Sequence, residues 1–351
     1  MTGVQTCALP ISEGSAIGSA KQVVEPQDVL LSKIVPHIRR TWVVGEDRGR
    51  RLIASGEWIV FRSSRADAGY LRQVLRSDPF HVQFIQTVAG VGGSLLRARP
   101  AQVARIAIPL PPLPEQRRIA AILDQADALR AKRREALAQL DSLTQSIFIE
   151  MFGDPVDNPN AWEVTPFGSV GSLDRGVSKV RPRNSPELLG GPYPLIQTGD
   201  VANCGGYIRH HTATYSEAGL RQSKLWPAGT LCITIAANIA KTGILLFDAC
   251  FPDSVVGFRA AHPATVEYVR VWLSFLQKAL EEAAPESAQK NINLAILRDL
   301  KMPFPPLALQ QTFAIRIQAV ESLKATHRAA LVELDALFAS LQHRAFAGQL
   351  S

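Results

Sequence analysis

The stretch IPLPPLPEQRRIAAILDQAD, residues 108 to 127, is written again as MPFPPLALQQTFAIRIQAVE at residues 302 to 321. At a constant offset of 194 the two copies stay in step without a gap for about fifty residues, which marks an internal duplication. Pro109, Pro111, Pro112, Leu113 and Gln116 answer to Pro303, Pro305, Pro306, Leu307 and Gln310. Leu129, Arg134, Leu137, Leu140, Asp141, Leu143, Ser146 and Phe152 answer to Leu323, Arg328, Leu331, Leu334, Asp335, Leu337, Ser340 and Phe346. A fold for this chain must therefore supply the same local structure twice, each time after a globular stretch.

Each copy opens with prolines, which fix an extended entry and cannot continue a strand ladder, and then runs into sequence rich in Ala, Leu, Gln, Glu and Arg. Pro114 and Glu115 make a good first helical turn. Apolar residues then recur three and four apart at Ile119, Ile122, Ala126, Leu129, Ala136, Leu140, Leu143 and Ile147, with Arg133 at the one polar step. The second copy gives Phe313, Val320, Leu323, Ala330, Leu334, Leu337 and Leu341, with Arg316 and His327 at its polar steps. That is a heptad seam. A helix over 115 to 150 would be about 54 Å long, and neither helix can bury its stripe alone. The economical arrangement is an antiparallel coiled coil that spaces two globular units. Arg133 and His327 could fix its register, although Leu137 and Leu331 offer a simpler shift of the contact line.

The implied boundaries are a leader at 1–12, a first globular unit at 13–108, a proline entry plus helix at 109–153, a second globular unit at 154–302, and a proline entry plus helix at 303–351. The leader, MTGVQTCALPIS, lacks the charge content of the residues after it and resembles the read-through translation of a sequencing adapter. In the second unit GTLCITIAA and GILLFDACF read as strands, Gly199 and Asp200 as a turn, and residues 265 to 283 as a helix. The first unit has parallel pieces: DVLLSKI matches TLCITI, WIVFRS matches VVGFRA, and GYLRQVL matches EYVRVWL. It is shorter by roughly fifty residues, since nothing in it answers to VTPFGSVGSLDRG or YPLIQTGDV. The expected class is α+β: two mixed α/β domains separated by two long helices, with a pseudo-twofold repeat.

With 46% apolar and 20% charged residues in 351, the chain has enough material for two cores. It has no uncharged apolar run of membrane-spanning length. Cys7, Cys204, Cys232 and Cys250 form no CxxC pair, which favours free thiols in a reducing cytoplasm. Cys204 with His210 and His211 is too small a set to read as a metal site. The net charge of +7 is unevenly placed: residues 13 to 108 hold 14 Lys and Arg against 8 Asp and Glu, whereas residues 154 to 305 hold 14 of each. An acidic partner is the expectation, with a solvated basic face as the plain alternative.

No catalytic constellation is legible. In AANIAKTG the Lys241 and Thr242 pair ends like a phosphate loop, but Ile235 and Ala240 stand where glycines are needed. There is no GxSxG, no HExxH and no Asn-Pro-Pro-Tyr stretch, and Pro252 and Asp253 lack the acid-x-Lys that a restriction-type nuclease site requires. Residues able to grip DNA are legible instead. DRGVSKVRPRN supplies Arg175, Lys179, Arg181 and Arg183, and SAQKNINL supplies Gln289, Lys290, Asn291 and Asn293. Arg39, Arg40, Arg48, Arg50 and Arg51 crowd one stretch of the first unit, and Arg97 with Arg99 comes after AGVGGS. Long cations reach phosphates and guanine edges, while Asn and Gln suit adenine. A solvated surface is the plain reading of each group.

Two units each succeeded by a proline entry and heptad helix, MFGDP at 151–155, PLIQTGDV at 194–201 and QKNINLAILRDLKMPFPPL at 289–307 together resemble the specificity (S) subunit of type I restriction-modification enzymes. The resemblance covers residues 13 to 351, and Ala308 with Leu309 departs from the Pro114 and Glu115 of the first copy. It implies two target-recognition domains, each reading half of a split site in double-stranded DNA, with the helices setting the gap and docking two modification subunits. It implies no cofactor in this chain: S-adenosylmethionine belongs to the modification subunits, and ATP with Mg to a motor-nuclease restriction subunit. It also implies no catalysis by the chain itself and no membrane. The competing expectation is a coiled-coil scaffold that binds only proteins.

Overall fold

The computed structural model describes residues 17–47, 49–90, 96–236, 239–283 and 292–350. The chain divides into two compact units, residues 1–135 with 328–351 and residues 136–327. In chain order the elements are β1 (Lys21–Val23), β2 (Val29–Ser32), β3 (Thr41–Val43), β4 (Ile53–Ser55), β5 (Trp58–Phe61), α1 (Ala68–Arg76), α2 (Asp78–Gln86), β6 (Val88–Ala89), β7 (Arg97–Ala98), α3 (Pro100–Val103) and α4 (Leu113–Phe152). They continue as β8 (Val164–Pro166), β9 (Ser172–Arg175), β10 (Leu189–Leu195), α5 (Thr198–Asn203), β11 (Gly206–Ile208), β12 (Ala213–Tyr215), α6 (Glu217–Arg221), β13 (Leu225–Trp226), β14 (Leu231–Thr234), β15 (Thr242–Leu245), β16 (Ala249–Cys250), β17 (Val255–Arg259), α7 (Pro263–Ala283), α8 (Leu294–Asp299), β18 (Lys301–Pro303) and α9 (Leu307–Phe346). No helix among the described residues is long and apolar enough to cross a membrane.

The second unit is built on a five-stranded sheet, β11-β15-β14-β17-β9, beside a four-stranded sheet, β12-β10-β16-β13. Its central strand β14 is buried at all four positions, which is what a continuous apolar run in mid-sheet requires. The first unit has a three-stranded sheet, β3-β2-β5, whose central β2 is likewise buried throughout. The matched sequence pieces occupy matched positions. In β2 and β5, Val29 faces Phe61 and Ser32 faces Trp58; in β14 and β17, Leu231 faces Phe258 and Thr234 faces Val255. The Lys33 amide donates to Glu57 O at 3.0 Å, and the Ile235 amide to Ser254 O at 3.0 Å. Among the described residues two strands of the larger sheet, β9 and β11, have no counterpart in the smaller one, and β9 falls within the absent piece VTPFGSVGSLDRG.

The proline entries are held in the same way in both units. Gln116, 1% exposed, donates from Nε2 to Pro111 O at 2.7 Å, and Gln310, fully buried, donates to Pro305 O at 2.8 Å. The hydroxyl of Tyr70 donates to Pro109 O at 2.9 Å and that of Tyr268 to Pro303 O at 2.5 Å. Both tyrosines are fully buried, so each bond satisfies a polar group that would otherwise cost folding free energy.

Each unit contains part of α4 and part of α9, packed antiparallel. In the first unit Arg130 Nε meets Asp335 Oδ1 at 2.5 Å and Asp127 Oδ1 lies 2.9 Å from Arg130 Nη1. In the second, Lys324 Nζ lies 3.0 Å from Asp141 and 2.9 Å from Glu321, and Arg316 lies 3.0 Å from Glu150. Every member of the Arg130 set is the repeat partner of a member of the Lys324 set, so the duplication carries its ion pairs with it.

The seam differs in part from the heptad expectation. Ile119, Ile147, Phe313 and Val320 are buried, and Ile122, Leu140, Leu334 and Leu341 are partly buried. Leu129, Leu143, Leu323 and Leu337 are 48%, 39%, 52% and 50% exposed and lie outside the seam. The contact line instead takes Leu123, fully buried, then Arg130, and on α9 Ile317 and the Lys324 stem. A straight helix repeats every 3.6 residues and drifts from a 3.5-residue stripe, and the two cations take inward positions that the apolar pattern assigned to their leucine neighbours. Gly199 and Asp200 also depart from expectation: they lie in α5, where Asp200 Oδ2 accepts from the Gln197 amide at 2.8 Å in a capping box.

Candidate nucleic-acid interface

The strand registers define an equivalent end in each unit's main sheet, where β2 finishes and β5 begins in the first and β14 finishes and β17 begins in the second. Several of the cations expected to meet DNA collect there. In the first unit Arg39 and Arg40 lead into β3 at that end, and the Arg40 carbonyl accepts from the Ser32 amide at 3.0 Å. Arg97 in β7 bridges to Ile34, and the Ala98 amide donates to Lys33 O at 2.9 Å. The second unit repeats the attachment: the Ile292 amide donates to Ile235 O at 2.9 Å. Gln289, Lys290 and Asn291, and likewise Arg48, lie outside the described residues.

Arg175 ends β9 and faces Val256, so the segment carrying Lys179, Arg181 and Arg183 leaves the sheet at this same end. Gly176 is needed at the exit, because a β-carbon there would run into the carbonyls of Phe251 and Pro252. Gln222, 7% exposed, reaches across to accept from the amides of Lys179 at 2.6 Å and Val180 at 3.2 Å, while Ser223 Oγ donates to Val177 O at 2.8 Å. The segment is thus fixed by its backbone and leaves its long side chains outermost. Arg181 and Arg183 are 51% and 42% exposed and converge on the Asp253 carboxylate, Arg181 Nη2 at 3.2 Å. Asp253 and Lys241, whose Nζ donates to Gln277 at 3.2 Å, belong to this end of the sheet and carried no DNA signal in sequence.

Other candidates lie elsewhere or serve structure. Arg50 and Arg51 are exposed between β3 and β4, at the opposite end of the first sheet. Arg99 is exposed and precedes α3. Asn293 caps α8, its Oδ1 accepting from the Ile296 amide at 2.9 Å, which commits one face of the side chain to the helix start. Arg39 is paired with Asp78 at 2.6 Å, and Arg97 with Glu57 at 3.2 Å. The Arg97 guanidinium beside Glu57 holds that carboxyl below its ordinary range. Among the described residues no group of three or more His, Cys, Asp or Glu is placed to hold a metal ion.

The family model of the type I restriction modification DNA specificity domain matches residues 77–139 and 159–335, together more than half of the chain. The chain is 24% identical over 235 residues to the type I restriction enzyme MjaX specificity subunit of Methanocaldococcus jannaschii, covering 63% of this chain and 54% of that one. It is 23% identical over 282 residues to the type I restriction enzyme EcoBI specificity subunit of Escherichia coli, covering 70% of this chain and 58% of that one. It thus spans somewhat over half the length of these curated relatives. The crystal structure of a type I restriction-modification system S subunit from M. genitalium has the same fold, with a TM-score of 0.58 at 12% identity over 93% of this chain and 84% of that chain.

Proposed function

The chain belongs to the type I restriction-modification DNA specificity family, and from that premise we propose that it is the sequence-reading, non-catalytic subunit of such a complex. The observation that carries the reading is the repeated sheet end: in both units it gathers exposed cations on backbone that is fixed from beneath. Arg39, Arg40 and Arg97 anchor one half of a split site in double-stranded DNA; Arg175, Lys179, Arg181 and Arg183 anchor the other. Base reading falls to side chains of the same segments and to Gln289, Lys290 and Asn291, which lie outside the described residues, and α4 with α9 sets the gap.

The partners are modification subunits and a restriction subunit. Two modification subunits are favoured because the outward leucines come in repeat pairs: Leu129 and Leu337 in the first unit, Leu323 and Leu143 in the second. S-adenosylmethionine belongs to those subunits, and ATP with Mg to the restriction subunit. The test is to co-express the chain with its modification subunit in a host free of DNA methylation and to map methylated adenines. A split motif with a fixed gap is the expected outcome. A stable complex that methylates nothing would overturn the reading and favour a protein scaffold.

A further inference from the structure

Each globular domain is tied to its part of the helix pair at the same repeat position. In the first unit Arg76, at the end of α1, lies 3.1 Å from Asp127 on α4; Asp127 lies 2.9 Å from Arg130, and Arg130 lies 2.5 Å from Asp335 on α9. In the second unit Arg209, directly after β11, lies 3.0 Å from Glu321 on α9; Glu321 lies 2.9 Å from Lys324, and Lys324 lies 3.0 Å from Asp141 on α4. Asp127 and Arg130 answer to Glu321 and Lys324 at the repeat offset, and Asp141 answers to Asp335. The helices thus present one acid, braced across both of them, and the globular domain supplies the arginine from a different element in each unit.

Arg209 is itself set in place. Its Nη1 donates to Tyr207 O at 3.3 Å, and its Cζ lies 5.2 Å from the Tyr207 ring centroid. The Tyr207 hydroxyl donates to Glu267 Oε2 on α7 at 2.8 Å, and Arg270 Cζ, from the same helix, lies 5.0 Å from the same ring. Gly206 is required beside it: its φ is +96°, and a β-carbon there would lie 2.6 Å from Arg270 Nη1. β11 is therefore pinned to α7 by its tyrosine and to α9 by the arginine that succeeds it.

By its backbone β11 pairs with β15, Tyr207 facing Ile244, at one edge of the five-stranded sheet whose other edge is β9. Ile208 faces Leu245, and Ile244 faces Leu231 at the start of β14, so Arg209 lies at the end of the sheet away from the cations. Four strand spacings separate β11 from β9, about 19 Å. A tilt of about 10° about β11 would therefore carry Arg175 by about 3.4 Å, the rise of one base pair.

We propose that Arg209 is a positioning residue: through Glu321 it holds the second recognition domain at one angle on the helix pair and so admits one gap length between the half-sites. The inference rests on the reading of the chain as the DNA reader of its complex. Arg209 touches no base in this role; it fixes where the bases are read.

The test assembles the full chain with its modification subunit in a methylation-free host and maps methylated adenines for the parent, Arg209→Met, Arg209→Gln and Arg209→Lys. Arg209→Gln keeps polarity at a position whose side chain is 33% exposed, so it removes the charge with less disturbance to folding than Arg209→Met. The expected result is the same two half-motifs throughout. In Arg209→Met and Arg209→Gln, methylation at sites with a gap one base pair longer or shorter should rise about tenfold relative to the parental gap, and Arg209→Lys, which keeps a cation for Glu321, should restore the single gap. A single gap in both neutral variants at any yield, which a merely structural residue would give, overturns the proposal. So does an altered half-motif, or loss of all methylation in both. A parent complex that methylates nothing overturns the functional reading, and this inference with it.

Discussion

The Lys324 cluster makes an asymmetric prediction. The Lys324 side chain is 5% exposed and its ammonium rests between Glu321 at 2.9 Å and Asp141 at 3.0 Å; the Glu321 side chain, 11% exposed, also accepts from Arg209 at 3.0 Å. Glu321→Gln removes the charge that both cations share and leaves Lys324 buried beside a carboxylate that is 68% exposed and screened by solvent. Breaking a buried pair from one side costs about 3–5 kcal/mol. Lys324→Met acts differently: it withdraws a buried charge, keeps the Arg209 bond to Glu321, and fills the same space with a thioether. Its cost should stay within about 1 kcal/mol. Urea unfolding read by amide exchange in residues 141 to 152 and 313 to 324 measures both variants against the parent. If Glu321→Gln comes within about 1 kcal/mol of the parent, or Lys324→Met is the worse of the two, the cluster is not held as a desolvated charge set and the reasoning fails.

Three further outcomes are expected. Arg62 chelates Asp28 at 2.7 Å, Asp28 being 2% exposed, and this contact holds the Asp28 carboxyl below the ordinary carboxylate range. A depressed folded-state value stabilises above the unfolded value and is lost as pH falls through the folded one, so the melting-temperature gap between parent and Asp28→Asn should be full at neutral pH and close in strong acid. Tyr70→Phe and Tyr268→Phe each remove the hydrogen bond between a buried hydroxyl and a proline carbonyl; chemical denaturation should show similar losses of about 1–2 kcal/mol, and a loss at one site alone would break the equivalence of the two units. Asp253→Asn frees Arg181 and Arg183 from a competing carboxylate, so fluorescence anisotropy should report tighter duplex binding with a steeper salt dependence; weaker binding would mean that the carboxylate orients the arginines for DNA.

Much of the scaffold was legible because it is written twice. The proline entries, both long helices and the matched strand pieces come from repeat alignment and apolar pattern, whereas the registers that pair Val29 with Phe61 and Leu231 with Phe258 come from the structure. The seam was legible only in part. Periodicity ranks leucine above lysine for an inward position, yet Lys324 lies inward with its stem in the contact line and its charge met by Glu321 and Asp141, a tertiary arrangement that no local pattern encodes. The Gly199 turn gave way to α5 for a related reason: a Gly-Asp pair signals a turn until a Gln three residues before the Asp completes a capping box. At the candidate interface the cations could be named from sequence, but their grouping could not. Arg50 and Arg97 read alike, and only the sheet places them at opposite ends; Asn293, read as a base-contacting residue, also caps α8, a role its sequence context did not announce.

The duplication also separates what the fold needs from what a reading surface needs. Two pairs of positions that keep their side chains across the repeat, Tyr70 with Tyr268 and Gln116 with Gln310, are buried and bond to proline carbonyls. Positions that keep only their backbone bonds change chemistry freely: Lys33 answers to Ile235 and Glu57 to Ser254, although the amide-to-carbonyl distance between them is 3.0 Å in both units. These variable positions lie at the sheet end that gathers Arg97 in one unit and Arg175 in the other. On the proposed function, a surface held by matching main-chain bonds while its side chains diverge suits two readers of different half-sites, since the backbone sets where each side chain starts and the side chain sets what it can pair with.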